Sequence, residues 1–192
     1  RELRSVLKDK GHTFITESDT EVLLKSYAEW GEKCLNHLVG MFAFAIWDRK
    51  QQKLFVARDR IGIKPLYFSH DQQNFLFGSN TQSLLASKLV DTDINPIALQ
   101  YMYTLHAVVP ATYTIFKGIH KLKPAHYLWV DLQGKIEEFQ YWSLDAENKH
   151  KDWSDADWRD AIEEKLRTAV RRRLLAADVP VGVLLSGGLD SS

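Results

Sequence analysis

Eight residues, Gly40-Met41-Phe42-Ala43-Phe44-Ala45-Ile46-Trp47, set bulky apolar side chains against small ones with a period of two. A helix would scatter that alternation around its circumference, whereas a strand sends it to two opposite faces. Both faces are apolar, so the segment reads as a strand covered on both sides by different neighbours. Residues 48–52 make a polar turn, and Leu54-Phe55-Val56-Ala57 reads as the hairpin partner. The same grammar returns twice. Leu66-Tyr67-Phe68 and Asn74-Phe75-Leu76-Phe77 pair around residues 70–73, and Tyr127-Leu128-Trp129-Val130 pairs with residues 136–141 across Gln133-Gly134. Helices are predicted over residues 18–30 and from Asn95 onward, where Pro96 takes the first helical position.

The grammar changes after a polar linker at residues 145–153. Ser154 and Asp157 resemble a capping box whose acidic member is shortened to Asp. Behind it Trp158, Ile162, Leu166, Ala169, Val170 and Leu174 recur at helical spacing. Arg171-Arg172-Arg173 falls in the last turn, where cations offset the helix dipole, so a solvated helix end explains it better than a nucleic-acid patch. Asp178-Val179-Pro180 then leads into Val181-Gly182-Val183-Leu184-Leu185, which reads as a buried parallel strand and the opening of an α/β domain.

Ser186-Gly187-Gly188-Leu189-Asp190-Ser191-Ser192 follows that strand. Backbone N–H groups of such a turn can point into one concavity and hold an anion. Glycines let a pyrophosphate approach, Ser186 and Ser191 add hydroxyl donors, and Asp190 can hold a divalent cation against phosphate oxygens. The Lys of a Gly-x-x-x-x-Gly-Lys-Ser/Thr loop is missing, so this is not that phosphate loop. A plain Gly-Gly turn is the competing reading. The motif resembles the pyrophosphate loop of ATP pyrophosphatases, enzymes that activate a carboxylate or carbonyl by adenylation.

Acidic and basic residues balance at 25 each, so bulk charge points to neither nucleic acid nor a membrane surface. The single cysteine excludes an internal disulfide and fits a reducing compartment, which predicts a cytoplasmic location. No apolar run approaches the length of a membrane span.

Ser18-Asp19-Thr20-Glu21, residues 40–48, Asp59-Arg60-Ile61-Gly62-Ile63-Lys64-Pro65-Leu66-Tyr67 and residues 186–192 occur here in one order. Together they resemble the glutamine-hydrolysing asparagine synthetases over all 192 residues. The resemblance implies an α+β region at residues 1–144, the C-terminal part of an N-terminal-nucleophile glutaminase in which antiparallel sheets lie between helix layers. Residues 145–153 would be a linker, and residues 154–192 the first helix and strand of a parallel-sheet ATP-pyrophosphatase domain. The implied reaction adenylates aspartate with ATP and Mg²⁺, and ammonia from glutamine then displaces AMP.

The resemblance also implies residue roles. Asp19 would receive the α-amino group of glutamine. Leu184 would lie beside the adenosine, while Ser186, Gly187, Gly188, Asp190 and Ser191 would hold the ATP phosphates, with Asp190 on Mg²⁺. No catalytic residue is carried over, because the family's nucleophilic cysteine and its Asn-Gly oxyanion pair would lie upstream of Arg1. The chain is therefore expected to be an internal fragment that hydrolyses no glutamine alone. Cys34 is expected to be packing. Asp19 has a plain reading beside the functional one: Ser18 and Glu21 form a capping box, and Asp19 offsets the helix dipole. Arg58, Asp59 and Arg60 are expected to pair with one another and the sheet edge. Expected partners are glutamine, ATP and aspartate, with a homodimer kept open. Three alternatives remain: a sister amidotransferase acting on another carboxylate such as a modified dipeptide, a glutaminase coupled to sugar-phosphate chemistry, and a non-catalytic binding domain.

Overall fold

A computed structural model describes residues 2–147, 150, 152–176, 179–183 and 186–189. The chain divides into two compact units, Arg1–Leu144 and Asp145–Ser192. The first unit opens with helix α1 (Glu2–Asp9) and helix α2 (Asp19–Trp30), a 3₁₀ turn (Gly31–Lys33) and the short α3 (Cys34–His37). Strands β1 (Ala43–Asp48), β2 (Lys53–Arg58), β3 (Tyr67–His70) and β4 (Phe75–Gly78) follow, then helices α4 (Thr81–Leu85) and α5 (Pro96–Thr104). Strands β5 (His120–Lys121), β6 (His126–Asp131) and β7 (Ile136–Gln140) complete it.

Two antiparallel sheets result, one ordered β1-β2-β6-β7 and one ordered β4-β3-β5. The alternation in β1 now has its physical reason. Phe44 and Ile46 join Phe55, Ala57, Tyr127 and Trp129 on the face that packs against Leu23, Tyr27 and Trp30 of α2 and Cys34 and Leu35 of α3. Ala43 and Ala45 turn the other way with Val56, Leu128 and Val130, against Leu66, Phe68, Phe75 and Leu122 of the second sheet region. Large side chains meet helices; small ones let the second sheet approach. Phe55 is fully buried, with Tyr27, Phe44, Tyr127 and Trp129 all 5–6 Å from its ring centre. Burying such a ring contributes roughly 2–3 kcal/mol. Helix α4 packs on β3 and β4, with Leu84 buried beneath it.

The connection after β2 is built on one carboxylate. Asp59 is 1% exposed, and its two oxygens accept from the backbone N–H groups of Phe42, Ile61, Ile63 and Lys64. Arg58 does not pair with it as expected. Its guanidinium donates instead to the carbonyls of Gly62, Lys64 and Leu122. Carbonyls and amides of a tight loop outnumber the charged partners available, and a fork of N–H donors can satisfy three of them at once. Arg60 goes elsewhere, to the Asn36 carbonyl at 3.4 Å.

The second unit contains helix α6 (Asp155–Ala176), and the Ser154–Asp157 box forms in both directions: Ser154 N–H and Oγ donate to the Asp157 carboxylate, and Asp157 N–H donates to Ser154 Oγ. The predicted apolar stripe is on one helix but exposed: Ile162 and Leu166 each retain 62% of their surface. Residues 181–183 differ from expectation. They form no strand, and Val181 and Val183 are exposed. A parallel strand is made by its neighbours' hydrogen bonds, and among the described residues none pairs with this segment. Leu184 and Leu185 lie outside the described residues.

Candidate functional site

Asp19 is the first residue of α2. It is exposed, and its carboxylate takes no hydrogen bond or ion pair among the described residues. The residues around it are tied down by contrast. Ser18 caps the helix through its hydroxyl, which accepts from Thr20 N–H at 3.1 Å. The expected box with Glu21 closes only on this side. Glu21 reaches past Ser18 and accepts from Ile15 N–H, Thr16 N–H and Thr16 Oγ1 at 2.7–3.0 Å. Three donors clustered in the preceding loop outcompete the single N–H of the cap. They also hold the Glu21 carboxyl down at about 2, since each bond favours the charged form.

From the other side comes Arg4, on α1. It donates to the carbonyls of Thr16 (2.6 Å) and Ser18 (3.0 Å), and its guanidinium lies over the Phe14 ring at 4.6 Å. Sequence reasoning passed over this residue. Its partners are backbone carbonyls 12 and 14 positions away, which no spacing rule marks.

Cys34 is wholly buried, and burial pushes its thiol up to about 12. A thiol so placed stays protonated and out of reach, as expected of a packing residue. Asp59 and Arg58 are likewise engaged by backbone groups of their own loop and its surroundings.

In the other unit, Ser186, Gly187 and Gly188 form an exposed turn. Gly187 adopts φ 71°, a left-handed conformation that glycine takes without strain, and Gly188 N–H donates to Ser186 Oγ at 3.4 Å. Leu184, Asp190 and Ser191 lie outside the described residues. Among the described residues no three His, Cys, Asp or Glu side chains gather as a metal site, and no helix is long and apolar enough to cross a membrane.

The family model for the glutamine amidotransferase domain matches residues 1–142, and that for asparagine synthase matches residues 161–192. The glutamine-hydrolyzing asparagine synthetase 3 of Bacillus subtilis strain 168 is 42% identical over 191 residues. That alignment covers all of this chain and 30% of the relative. Amidase chry2 of Gibberella zeae is 38% identical over 181 residues, covering 93% of this chain and 26% of the relative. Among solved structures, the glutamine phosphoribosylpyrophosphate amidotransferase of B. subtilis aligns with a TM-score of 0.49 at 20% identity, over 75% of this chain and 27% of that one. The chain thus spans about a third or less of the length of the relatives it matches.

Proposed function

Because this chain belongs to the glutamine amidotransferase domain family over residues 1–142, we propose that it serves glutamine-dependent amidation of a carboxylate, with aspartate as acceptor and asparagine as product. The observation that carries this reading is the order of two matches on one chain, a glutamine amidotransferase domain followed by an asparagine synthase segment. Ammonia released by the first part would be consumed by an adenylated acid in the second.

In this reading Asp19 receives the α-amino group of glutamine. Its support is physical: an exposed carboxylate with no partner among the described residues, on a helix start flanked by Ser18 and Glu21, which are held. An ammonium group there gains a charge-assisted hydrogen bond at no cost in breaking an existing one. Ser186, Gly187, Gly188, Asp190 and Ser191 would cradle the ATP phosphates, with Leu184 beside the adenosine. The left-handed Gly187 supports this reading, because glycine takes that conformation without strain and a Cβ added there would meet only open space, so nothing holds a phosphate away from the backbone. Mg²⁺ held with Asp190 would supply charge neutralisation for the departing pyrophosphate. Cys34 has no part in the chemistry.

A second reading has one observation behind it: a relative named an amidase stands nearly as close, at 38% identity, as the synthetase at 42%. The acceptor would then be a different carboxylate.

The test uses the full-length protein that carries this chain, supplied with ATP, Mg²⁺, aspartate and either glutamine or ammonia. Asparagine, AMP and glutamate are the expected products. Asp19→Ala should raise the glutamine concentration needed by about ten- to a hundredfold, the value of one charge-assisted hydrogen bond, while ammonia-driven synthesis stays near normal. Equal loss with both nitrogen sources would make Asp19 a helix residue only. AMP formed without asparagine, on a wider panel of acids, would favour the second reading.

A further inference from the structure

We infer that Arg4 is a positioning residue for glutamine recognition: it holds the peptide group that carries Asp19, and so fixes the point from which that carboxylate meets the ligand's ammonium. This rests on the assignment of Asp19 to glutamine proposed above.

Arg4 holds the loop at two points, and one of them matters most. The Ser18 carbonyl, 3.0 Å from Arg4 Nη2, belongs to the same rigid peptide plane as the Asp19 nitrogen. Fixing that oxygen therefore fixes where the Asp19 side chain begins. The second bond, to the Thr16 carbonyl at 2.6 Å, anchors the peptide two residues earlier. Glu21 grips the opposite edge of the same stretch through the N–H groups of Ile15 and Thr16. The loop is thus held by its carbonyls from α1 and by its amides from α2.

Charge follows the same plan. Residues 14–21 contain three carboxylates, Glu17, Asp19 and Glu21. Glu17 lies 3.8 Å from Arg4, and Glu21 is saturated by three donors. Only Asp19 is left without a partner among the described residues. Glu17 stays 99% exposed beside that long contact, so the distinguishing feature of Asp19 is the fixed peptide it hangs from together with its lack of a partner among the described residues.

Arg4 itself is not a ligand group. Its side chain is only 12% exposed, its Nη1 and Nη2 atoms are engaged by carbonyls, and the guanidinium lies against Phe14. Lysine keeps the charge but offers one point donor in place of a planar fork, so it can reach one carbonyl and not both in the same geometry.

The experiment follows glutamate release by the full-length protein in Arg4→Lys, Arg4→Met, Asp19→Asn and the double variant Arg4→Lys/Asp19→Asn, with melting temperatures alongside. Arg4→Lys should raise the glutamine KM about tenfold with kcat within about twofold, the pattern of lost uniform binding. In the Asp19→Asn background the same change should alter KM by less than about twofold, because the two residues act through one contact. An Arg4→Lys enzyme with unchanged KM overturns the inference. So does a KM effect that persists in full without the Asp19 carboxylate, or a fall in kcat that tracks the melting temperature, which marks a purely structural arginine. If Asp19→Asn alone leaves KM unmoved, the underlying glutamine assignment fails, a result separable from the others. Arg4→Met, should it fold poorly, is replaced as the decisive case by Arg4→Lys.

Discussion

Two loops of this molecule are built with the same parts and end in opposite states. In the loop after β2, Arg58 donates to three backbone carbonyls and Asp59 accepts from four backbone N–H groups. In the loop before α2, Arg4 donates to two carbonyls and Glu21 accepts two N–H groups and a hydroxyl. Each pairs an arginine for the carbonyls with a carboxylate for the amides. The first loop is buried at its centre and commits both Arg58 and Asp59 to backbone groups. The second stays near the surface and leaves one carboxylate, Asp19, without a partner among the described residues. The central carboxylate is spent on architecture in one loop, and in the other one carboxylate is left without a partner among the described residues.

The comparison predicts opposite responses to matched substitutions. Asp59→Ala strips four backbone donors of their acceptor inside the core and should cost about 4 kcal/mol or more of stability. Asp19→Ala should cost under about 0.5 kcal/mol, since nothing is left unpaired at an exposed site. Urea unfolding followed by tryptophan fluorescence measures both. Equal losses would mean that the Asp19 carboxylate is as structural as that of Asp59.

A smaller effect is expected at Gly62, which holds φ 70° inside the first loop. A Cβ there would come within 2.9 Å of Pro124 Cγ and 3.0 Å of Arg58 Cζ. Gly62→Ala therefore combines a strained backbone with a steric clash against the arginine clamp, at roughly 2 kcal/mol. Gly11, also left-handed at φ 91° but with open space around it, makes a control: Gly11→Ala should cost only the backbone part. Similar losses at both positions would mean that Arg58 gives way freely.

The smallest signal comes from acid. The Glu21 carboxyl sits at about 2 against its ordinary 4.5. A depressed folded value means that its stabilising contribution is complete above pH 4.5 and is lost as pH falls from there through about 2. Carboxyl carbon shifts from NMR should therefore show Glu21 still ionised at about pH 3. A midpoint near 4.5 would show that the amide grip on residues 15 and 16 is absent in solution.

Local chemistry was legible from the chain alone wherever the cause is local. Period-two alternation placed β1 and β2, Gln133-Gly134 placed the β6–β7 turn, and Asn95-Pro96 and the Ser154–Asp157 box started helices where the structure starts them. In each case the signal and its effect lie within a few residues, so side-chain period or a cap hydrogen bond suffices. The short α4 and the two-residue β5 went unread because so few residues carry no periodicity, and α1 went unread although Leu3, Val6 and Leu7 recur at helical spacing.

What only the tertiary structure decided is the partner of each charge. Asp19 could be singled out in the chain as a candidate, but not the fact that its carboxylate is left over, because that depends on where Arg4 and Glu21 spend theirs. Arg58 reaches Leu122 across 64 positions, and Arg4 reaches Ser18 across 14. Such partners are mostly backbone atoms, which every residue possesses and no residue type advertises. Packing brings them within reach, and the short range of a hydrogen bond makes the choice among them.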